Sequence, residues 1–149
     1  MKKKTPPASA RKRAQKRPAV SSVSSRMVET PFSYLEVRIT GPVTGDSVVK
    51  VFERVRDEVT RHVSIKKVLV DLRQGSIALT ISDMHGLAKM VTTNFVGAID
   101  KLAFVMRAQD ILPEKFLEPS LTNRGLPTLV TDDLDEAVYW LGTRFKPAI

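Results

Sequence analysis

The apolar positions of this chain follow two spacings, one typical of strands and one typical of helices. Four segments carry the strand pattern: residues 34–40 (YLEVRIT), 66–72 (KKVLVDL), 101–107 (KLAFVMR) and 126–131 (LPTLVT). The first segment alternates, which predicts a half-buried strand with Leu35, Val37 and Ile39 on one face. The second and third are nearly continuous apolar runs, which favour central parallel strands covered on both faces.

Helical spacing separates these strands. A first helix is expected after the turn at residues 41–46, where Thr44 or Asp46 can cap it. Its inward residues are Val48, Val51, Phe52, Val55 and Val59. A second helix is expected over residues 82–95. Its inward residues are Met84, Leu87, Ala88, Val91 and Phe95.

Two further helical regions complete the pattern. One follows Asp110 and is expected as two short pieces, because Pro113 and Pro119 interrupt it. The other begins at Asp132 or Asp133. Its inward residues are Leu134, Ala137, Val138 and Leu141.

Strand–helix alternation repeated four times predicts an α/β fold. We expect a single domain with a mostly parallel sheet of about four or five strands, flanked by about four helices. Partners and ligands of such sheets usually meet the loops at the carboxyl ends of the strands. Here those loops are residues 71–81, 107–112 and 131–133.

The composition narrows the function classes. A chain of 149 residues corresponds to about one domain. It has no cysteine, which excludes disulfides, zinc–thiolate sites and a thiol nucleophile. No apolar run approaches the roughly 20 residues needed to cross a bilayer. We therefore expect a soluble, non-secreted, cytoplasmic protein.

The excess positive charge lies at the amino terminus. Residues 1–26 hold nine of the 24 basic residues and no acidic one, so the remainder has 15 basic and 16 acidic residues. Residues 1–30 are predicted to be a disordered basic tail, and residues 31–149 the folded domain. The tail is a candidate for binding nucleic acid, another polyanion or an anionic membrane surface. Its candidate residues are Lys2, Lys3, Lys4, Arg11, Lys12, Arg13, Lys16 and Arg17.

The tail also has simpler explanations. It can be a solvated arm, since basic runs are common. Translation can also begin at Met27, directly before the first periodic segment. The tail lacks the interleaved aromatic residues that would favour stacking with single-stranded nucleic acid.

Four segments, in their order along the chain, resemble a STAS domain, a class that includes bacterial anti-sigma-factor antagonists. They are VRITGPVTGDSVVKVFERV, KKVLVDLRQGSIALTISDMHGLAKM, KLAFVMR and LPTLVTDDLDEAVYWL. The divergent SpoIIAA-like group often carries LVDL and ends in a helix of the form DEAxxWL. The matching residues here are Asp135, Glu136, Ala137, Trp140 and Leu141. The resemblance covers residues 32–142 and implies a non-catalytic regulatory module that binds a protein partner, such as a kinase or anti-sigma-like regulator.

The resemblance directs attention to the joint between residues 71 and 85. In regulatory STAS domains a strand ending in aspartate leads to a DSSG-like turn, and a serine at the next helix start is phosphorylated. Asp71 matches the strand end, but DSSG is missing. A phosphate at the helix start would gain roughly 0.3–1 kcal/mol from the helix dipole. The partner-binding or phosphorylation candidates are Asp71, Thr80, Ser82, Asp83 and His85.

Helix capping explains part of the same joint. Thr80 and Asp83 have the spacing of a capping box, in which each side chain bonds the other residue's backbone N–H. Either Thr80 or Ser82 can satisfy the first turn of the helix. The joint is therefore a capped turn, a phosphorylation switch, or both.

An enzyme is not expected. The residue types of a nucleophilic triad are present, namely Ser76 or Ser82, His85, and Asp71 or Asp83. However, no GxSxG elbow surrounds either serine, and neither histidine has metal-ligand spacing. No P-loop or dinucleotide glycine pattern occurs. We therefore expect no catalytic residues, no metal and no cofactor.

An apolar ligand is the alternative function. SpoIIAA-like domains also resemble the CRAL-TRIO lipid-transfer fold, which implies a pocket beneath the helices. Residues that could line it are Met84, Met90, Phe95, Met106, Phe116 and Leu117. Helix and strand periodicity explains the same residues as ordinary core packing.

Overall fold

A computed structural model of the protein describes residues 21–143. In this range the strands are β1 (Ser22–Val28), β2 (Tyr34–Thr44), β3 (Lys67–Asp71), β4 (Gly75–Ala78), β5 (Lys101–Val105) and β6 (Thr128–Thr131). The helices are α1 (Val48–Arg61), α2 (Ile81–Phe95), α3 (Ile111–Glu114), α4 (Leu117–Thr122) and α5 (Leu134–Gly142), with a 3₁₀ turn at Ala108–Asp110. The predicted α/β class is confirmed.

The sheet is mostly parallel. Its strand order is β1-β2-β3-β5-β6, and β4 pairs with β2 off this path. β2, β3, β5 and β6 run parallel, whereas β1 pairs antiparallel with β2. The carboxyl ends of β3, β5 and β6 therefore lie along one edge, with Asp71, Val105 and Thr131 in register.

The predicted boundary of the tail is wrong for part of residues 1–30. Ser22–Val28 form a strand whose register with β2 runs from Ser22–Thr40 to Val28–Tyr34 without a break. Because serines lie between Val23 and Val28, the apolar pattern of this segment is too weak to predict a strand. Pairing with β2 orders the segment. Residues 1–20, which hold eight of the nine basic residues of the tail, and residues 144–149 lie outside the described part of the chain.

Two other local predictions need correction. The connection between β3 and α2 contains β4, which pairs in parallel with Gly41–Thr44 of β2. The cap of α1 is neither Thr44 nor Asp46: Ser47 precedes the helix, and its hydroxyl accepts a hydrogen bond from the Thr44 backbone N–H at 2.9 Å. The division into α3 and α4 around the two prolines is confirmed.

The sheet has two different faces. On the first face, α1, α2 and α4 cover apolar side chains that include Val37, Val70 and Phe104. On the second face, α5 packs against β3, β5 and β6 over Leu69 and Val105. The part of the second face formed by β1 and β2 stays accessible to solvent, as the half-exposed arginines described below show.

Candidate functional site

The start of α2 is fixed by a capping box. The Thr80 hydroxyl accepts a hydrogen bond from the Asp83 backbone N–H at 3.1 Å, and the Asp83 carboxylate accepts one from the Thr80 backbone N–H at 2.8 Å. The predicted cap is therefore confirmed, with Thr80 as the capping residue. Gly45, in the turn after β2, leaves room for this carboxylate, since a Cβ atom there would lie 2.7 Å from an Asp83 oxygen.

The side chains next to the cap point into solvent. Ile81 is 70% exposed. Ser82 is exposed, and its hydroxyl makes no hydrogen bond within residues 21–143. His85 is also exposed, and its ring meets Phe116 edge to face at 4.8 Å between centroids. The helix start therefore presents an apolar side chain and a free hydroxyl together.

Asp71 does not belong to this group of side chains. Along β3, Val70 faces the first side of the sheet, and Leu69 and Asp71 face the second. The Asp71 carboxylate accepts hydrogen bonds from Arg73 Nε at 3.0 Å and Nη2 at 2.9 Å, and from the Arg73 backbone N–H at 3.0 Å. Thr80, Ser82, Asp83 and His85 are thus close along α2, whereas Asp71 faces the other way.

Two neighbouring arginines lower the pKa of Asp71. Burial acts most strongly and would raise its pKa, but the hydrogen bonds and positive charge of Arg73, together with the charge of Arg38, outweigh it. The net pKa of Asp71 is lowered from its ordinary value, so the group is a carboxylate at neutral pH. The same hydrogen bonds raise the pKa of Arg73.

The exposed part of the second face carries a row of such pairs. Arg26 on β1 donates from Nε to Glu36 on β2 at 2.5 Å, and Arg38 Nε lies 3.8 Å from the Asp71 carboxylate. The carboxylate side chains are only 5% and 2% exposed, but the side chains of Arg26 and Arg38 are 68% and 47% exposed. We call this surface the arginine face, defined by Arg26, Arg38 and Arg73 above Glu36 and Asp71.

Sequence reasoning missed the arginine face, although a signal was present. The alternation that places Leu35, Val37 and Ile39 inward also places Glu36 and Arg38 together on the opposite face. In the sequence, Arg26 is one of the basic residues of the amino-terminal segment. Its place opposite Glu36 depends on the pairing of β1 with β2, which no local pattern reveals.

A third carboxyl group lies in the apolar core near the carboxyl edge. Glu114 is 4% exposed and lines a cavity of about 10 Å³ with Phe52, Phe104 and Met106. Burial, and secondarily the negative charge of Asp110, raise its pKa to about 7. The cavity has room for about one water molecule and none for an acyl chain. Of the pocket residues proposed from the sequence, Phe95, Met106 and Leu117 belong to the same core, Met90 and Phe116 pack against it, and Met84 is buried.

The opposite edge of the sheet holds a wide cleft of about 880 Å³ beside Lys67 and Lys101. The Lys101 ammonium donates to the carbonyls of Trp140 and Thr143 at 2.8 and 2.6 Å and to the Thr143 hydroxyl at 2.8 Å. Burial, and then the charge of Lys67, lower the pKa of Lys101. All three ammonium protons are therefore used in hydrogen bonds to the carboxyl end of α5, which gives Lys101 a structural role.

The candidate residues of a nucleophilic triad are not joined in the described part of the chain. Asp71 is turned away from His85, and no Ser–His–carboxyl chain of hydrogen bonds occurs in residues 21–143. Within this range no three His, Asp or Glu side chains gather as a metal site. The helices of the same range are too short or too polar to cross a membrane.

Comparison with known proteins supports the fold. No protein-family model and no curated protein matches the sequence. An uncharacterised protein of the DUF3478 family from Shewanella loihica PV-4, described as having a SpoIIAA-like fold, matches with a TM-score of 0.57 and 11% identity, over 84% of this chain and 98% of its own. An anti-sigma factor antagonist from Mycobacterium paratuberculosis matches with a TM-score of 0.49 and 12% identity, over 82% and 96%. The chain has a SpoIIAA-like fold, as its resemblance to STAS domains implied.

Proposed function

We propose that this protein is a non-catalytic interaction module of the STAS type whose protein partner binds the exposed start of α2. The main support is that the capped helix start holds Ile81, which is 70% exposed, beside the exposed Ser82 and His85. Together these side chains offer a partner one apolar contact with polar groups around it, which is the usual arrangement of a protein–protein interface. The box formed by Thr80 and Asp83 holds Ile81 in place, so little conformational entropy is lost when a partner covers it.

Phosphorylation of Ser82 is the regulatory part of the proposal. The Thr80 hydroxyl serves the cap, whereas the Ser82 hydroxyl points into solvent next to Ile81. A phosphate there would gain from the amino end of α2 and would also lie beside the Asp83 carboxylate, which repels it. The added charge would therefore change both the contact surface and the capping box, which is what a switch requires.

The test is capture of partners from the native cell by the immobilised full chain and its variants. Ile81→Ser should remove the specific partner, and Ser82→Asp should change its capture, whereas Ser82→Asn should behave like the wild type. Val63→Ser is the matched control, because Val63 is 69% exposed and lies in the loop at the other end of the sheet. Equal loss with Val63→Ser, or unchanged capture with Ile81→Ser, would contradict the proposal.

We do not propose lipid binding. The 10 Å³ cavity among the core residues is far smaller than a lipid chain, so binding would require α3 and α4 to move away. Native mass spectrometry of the purified chain is the direct test. A lipid that purifies with the protein would revive that function, and a mass equal to the bare chain would agree with the packed core.

A further inference from the structure

The sheet has two edges, and they differ in how well they are protected. β6 forms one edge with four residues, and β1 forms the other with seven. Natural proteins usually protect edge strands with shortness, bulges, proline or several charges. β1 has an unbroken register and no proline, and Arg26 is its only charged residue. Within the described residues, its outer side has no partner strand.

The arginine face continues to this edge. Ser22, Ser24 and Arg26 alternate along β1 on the same side of the sheet as Arg38. Ser24, Arg26, Glu36 and Arg38 surround a depression of about 90 Å³. Its walls present guanidinium groups, while the carboxylate of Glu36 is buried beneath them.

The buried carboxylates make the arginines a prepared binding surface. Glu36 and Asp71 hold Arg26 and Arg73 in place through hydrogen bonds. The Arg38 guanidinium makes only long contacts with carboxylates, at 4.0 and 3.8 Å, and no side-chain hydrogen bond within residues 21–143. Its N–H groups are therefore available to an incoming acceptor. Arginine forks bind carboxylates with two parallel hydrogen bonds.

We propose that the outer edge of β1 docks an extended acidic segment of a partner protein, which adds to the sheet as a further strand and places carboxylates against Arg26 and Arg38. Main-chain hydrogen bonds to an edge strand supply affinity in such complexes, and alternate side chains supply specificity. The arginines select an acidic segment and disfavour the chain's own residues 1–20, which hold eight basic residues and no acidic one. This second surface is on a different face from the start of α2 and does not depend on the function proposed there.

The probe is a fluorescein-labelled peptide of seven residues with blocked ends, in which glutamate alternates with threonine. A lysine-for-glutamate peptide is its control. Both are titrated into the ¹⁵N-labelled full chain at physiological ionic strength, with anisotropy, amide shifts and hydrogen exchange as readouts. We expect the acidic peptide to bind and to protect alternate amides of Ser22–Val28, since an added strand bonds every second residue.

Arg38→Gln tests the charge, because it leaves the hydrogen bonds of Asp71 and Glu36 in place. It should weaken binding about fivefold. Arg56→Gln is the matched control, since the Arg56 side chain is 42% exposed on α1, and it should have no effect on affinity. If Arg38→Gln proves unstable, amide protection in the wild type decides alone.

Four outcomes would overturn the proposal. One is no binding, and another is binding without protection of β1 amides, which would indicate attraction by residues 1–20 only. A third is binding of a single-stranded oligonucleotide that depends on Arg38 as strongly as peptide binding does. The fourth is self-association through β1 in sedimentation experiments without peptide, which would make a second copy the occupant.

Discussion

Glu114 and Asp71 are buried carboxyl groups near the same edge of the sheet, and they lie on opposite faces. Glu114 sits among Phe52, Phe104 and Met106, and its pKa is raised to about 7. Asp71 is held between Arg73 and Arg38, and its pKa is lowered despite burial. Burial acts on both groups in the same direction, so the arginines account for the opposite result.

The two faces therefore contribute differently to the protein. The first face is stabilised by apolar packing. Its buried Glu114 favours the neutral form of the carboxyl group. On the exposed part of the second face, the buried carboxylates stay ionised because Arg26 pairs with Glu36 and Arg73 pairs with Asp71. Packed cores tolerate little change, whereas half-exposed ion pairs can exchange partners with a ligand. Each prediction below tests a part of this difference.

The largest effect is expected from shortening the amino terminus. Deletion of residues 1–26 removes most of β1, the Arg26 partner of Glu36, and several ladder hydrogen bonds worth about 0.5–1.5 kcal/mol each. We expect the free energy of unfolding to fall by roughly 3 kcal/mol or more in urea titrations. Deletion of residues 1–20 is the matched control and should change it little. Equal stability of both shortened chains would show that β1 is dispensable.

The next effect comes from Glu114 and depends on pH. The folded pKa of about 7 exceeds the ordinary value of 4.5, so the folded protein binds the extra proton between these values. Stability should therefore fall as pH rises from about 4.5 to about 7, by at most roughly 3 kcal/mol, and then level off. Glu114→Gln should remove this fall, whereas Glu53→Gln on α1 should keep it. Unchanged pH dependence in Glu114→Gln would contradict the assignment.

Asp71 should have the opposite dependence. Its folded pKa lies below 3.8, so its stabilisation is complete above that pH and is lost as pH falls through the folded value. Acid titrations of the free energy of unfolding in Asp71→Asn and wild type would separate this loss from the Glu114 effect, which is confined to higher pH. A wild-type protein with no Asp71-dependent loss in acid would show that the arginines do not stabilise this carboxylate.

A smaller effect is expected at the start of α2. Thr80→Ala should cost about 0.5–2 kcal/mol, because it removes the acceptor for the Asp83 N–H. Ser82→Ala should stay within about 0.5 kcal/mol, as is usual for exposed positions. Thermal unfolding measures both. A larger loss with Ser82→Ala than with Thr80→Ala would mean that Ser82 has a structural role.

The basic residues of positions 1–20 are proposed to bind polyanions such as duplex DNA. Their removal should not change the free energy of unfolding, so the test is binding. If about five phosphates are neutralised, the log–log salt slope on duplex DNA should be roughly −4 to −5. Fluorescence anisotropy with unrelated sequences should show no preference, and deletion of residues 2–17 should abolish binding. Binding that survives this deletion but is lost with Arg38→Gln would move the site to the arginine face.

The sequence predicts the first face well. Residues inferred as inward, such as Leu35, Phe52 and Val91, are buried, because amphipathic periodicity records burial directly. The cap at Thr80 was also predictable, since a capping box depends only on residues three positions apart.

The second face was not predictable in the same way. β1 is rich in serine, and β4 has only four residues, so neither shows enough alternation to be recognised. Arg26 and Glu36 are brought together by strand pairing and not by local sequence. Nearness in sequence predicts that Asp71 lies with the start of α2, but alternation along β3 turns its side chain to the other face.

The central claim is that Asp71 acts with the arginine face and not with the start of α2. Double-mutant cycles on the free energy of unfolding at neutral pH test it most directly. Asp71→Ala with Arg73→Ala should show a coupling energy of at least about 0.5 kcal/mol, because the two side chains share hydrogen bonds. Asp71→Ala with Thr80→Ala should be additive within about 0.5 kcal/mol. Strong coupling of Asp71 to Thr80, with none to Arg73, would contradict the separation of the two faces.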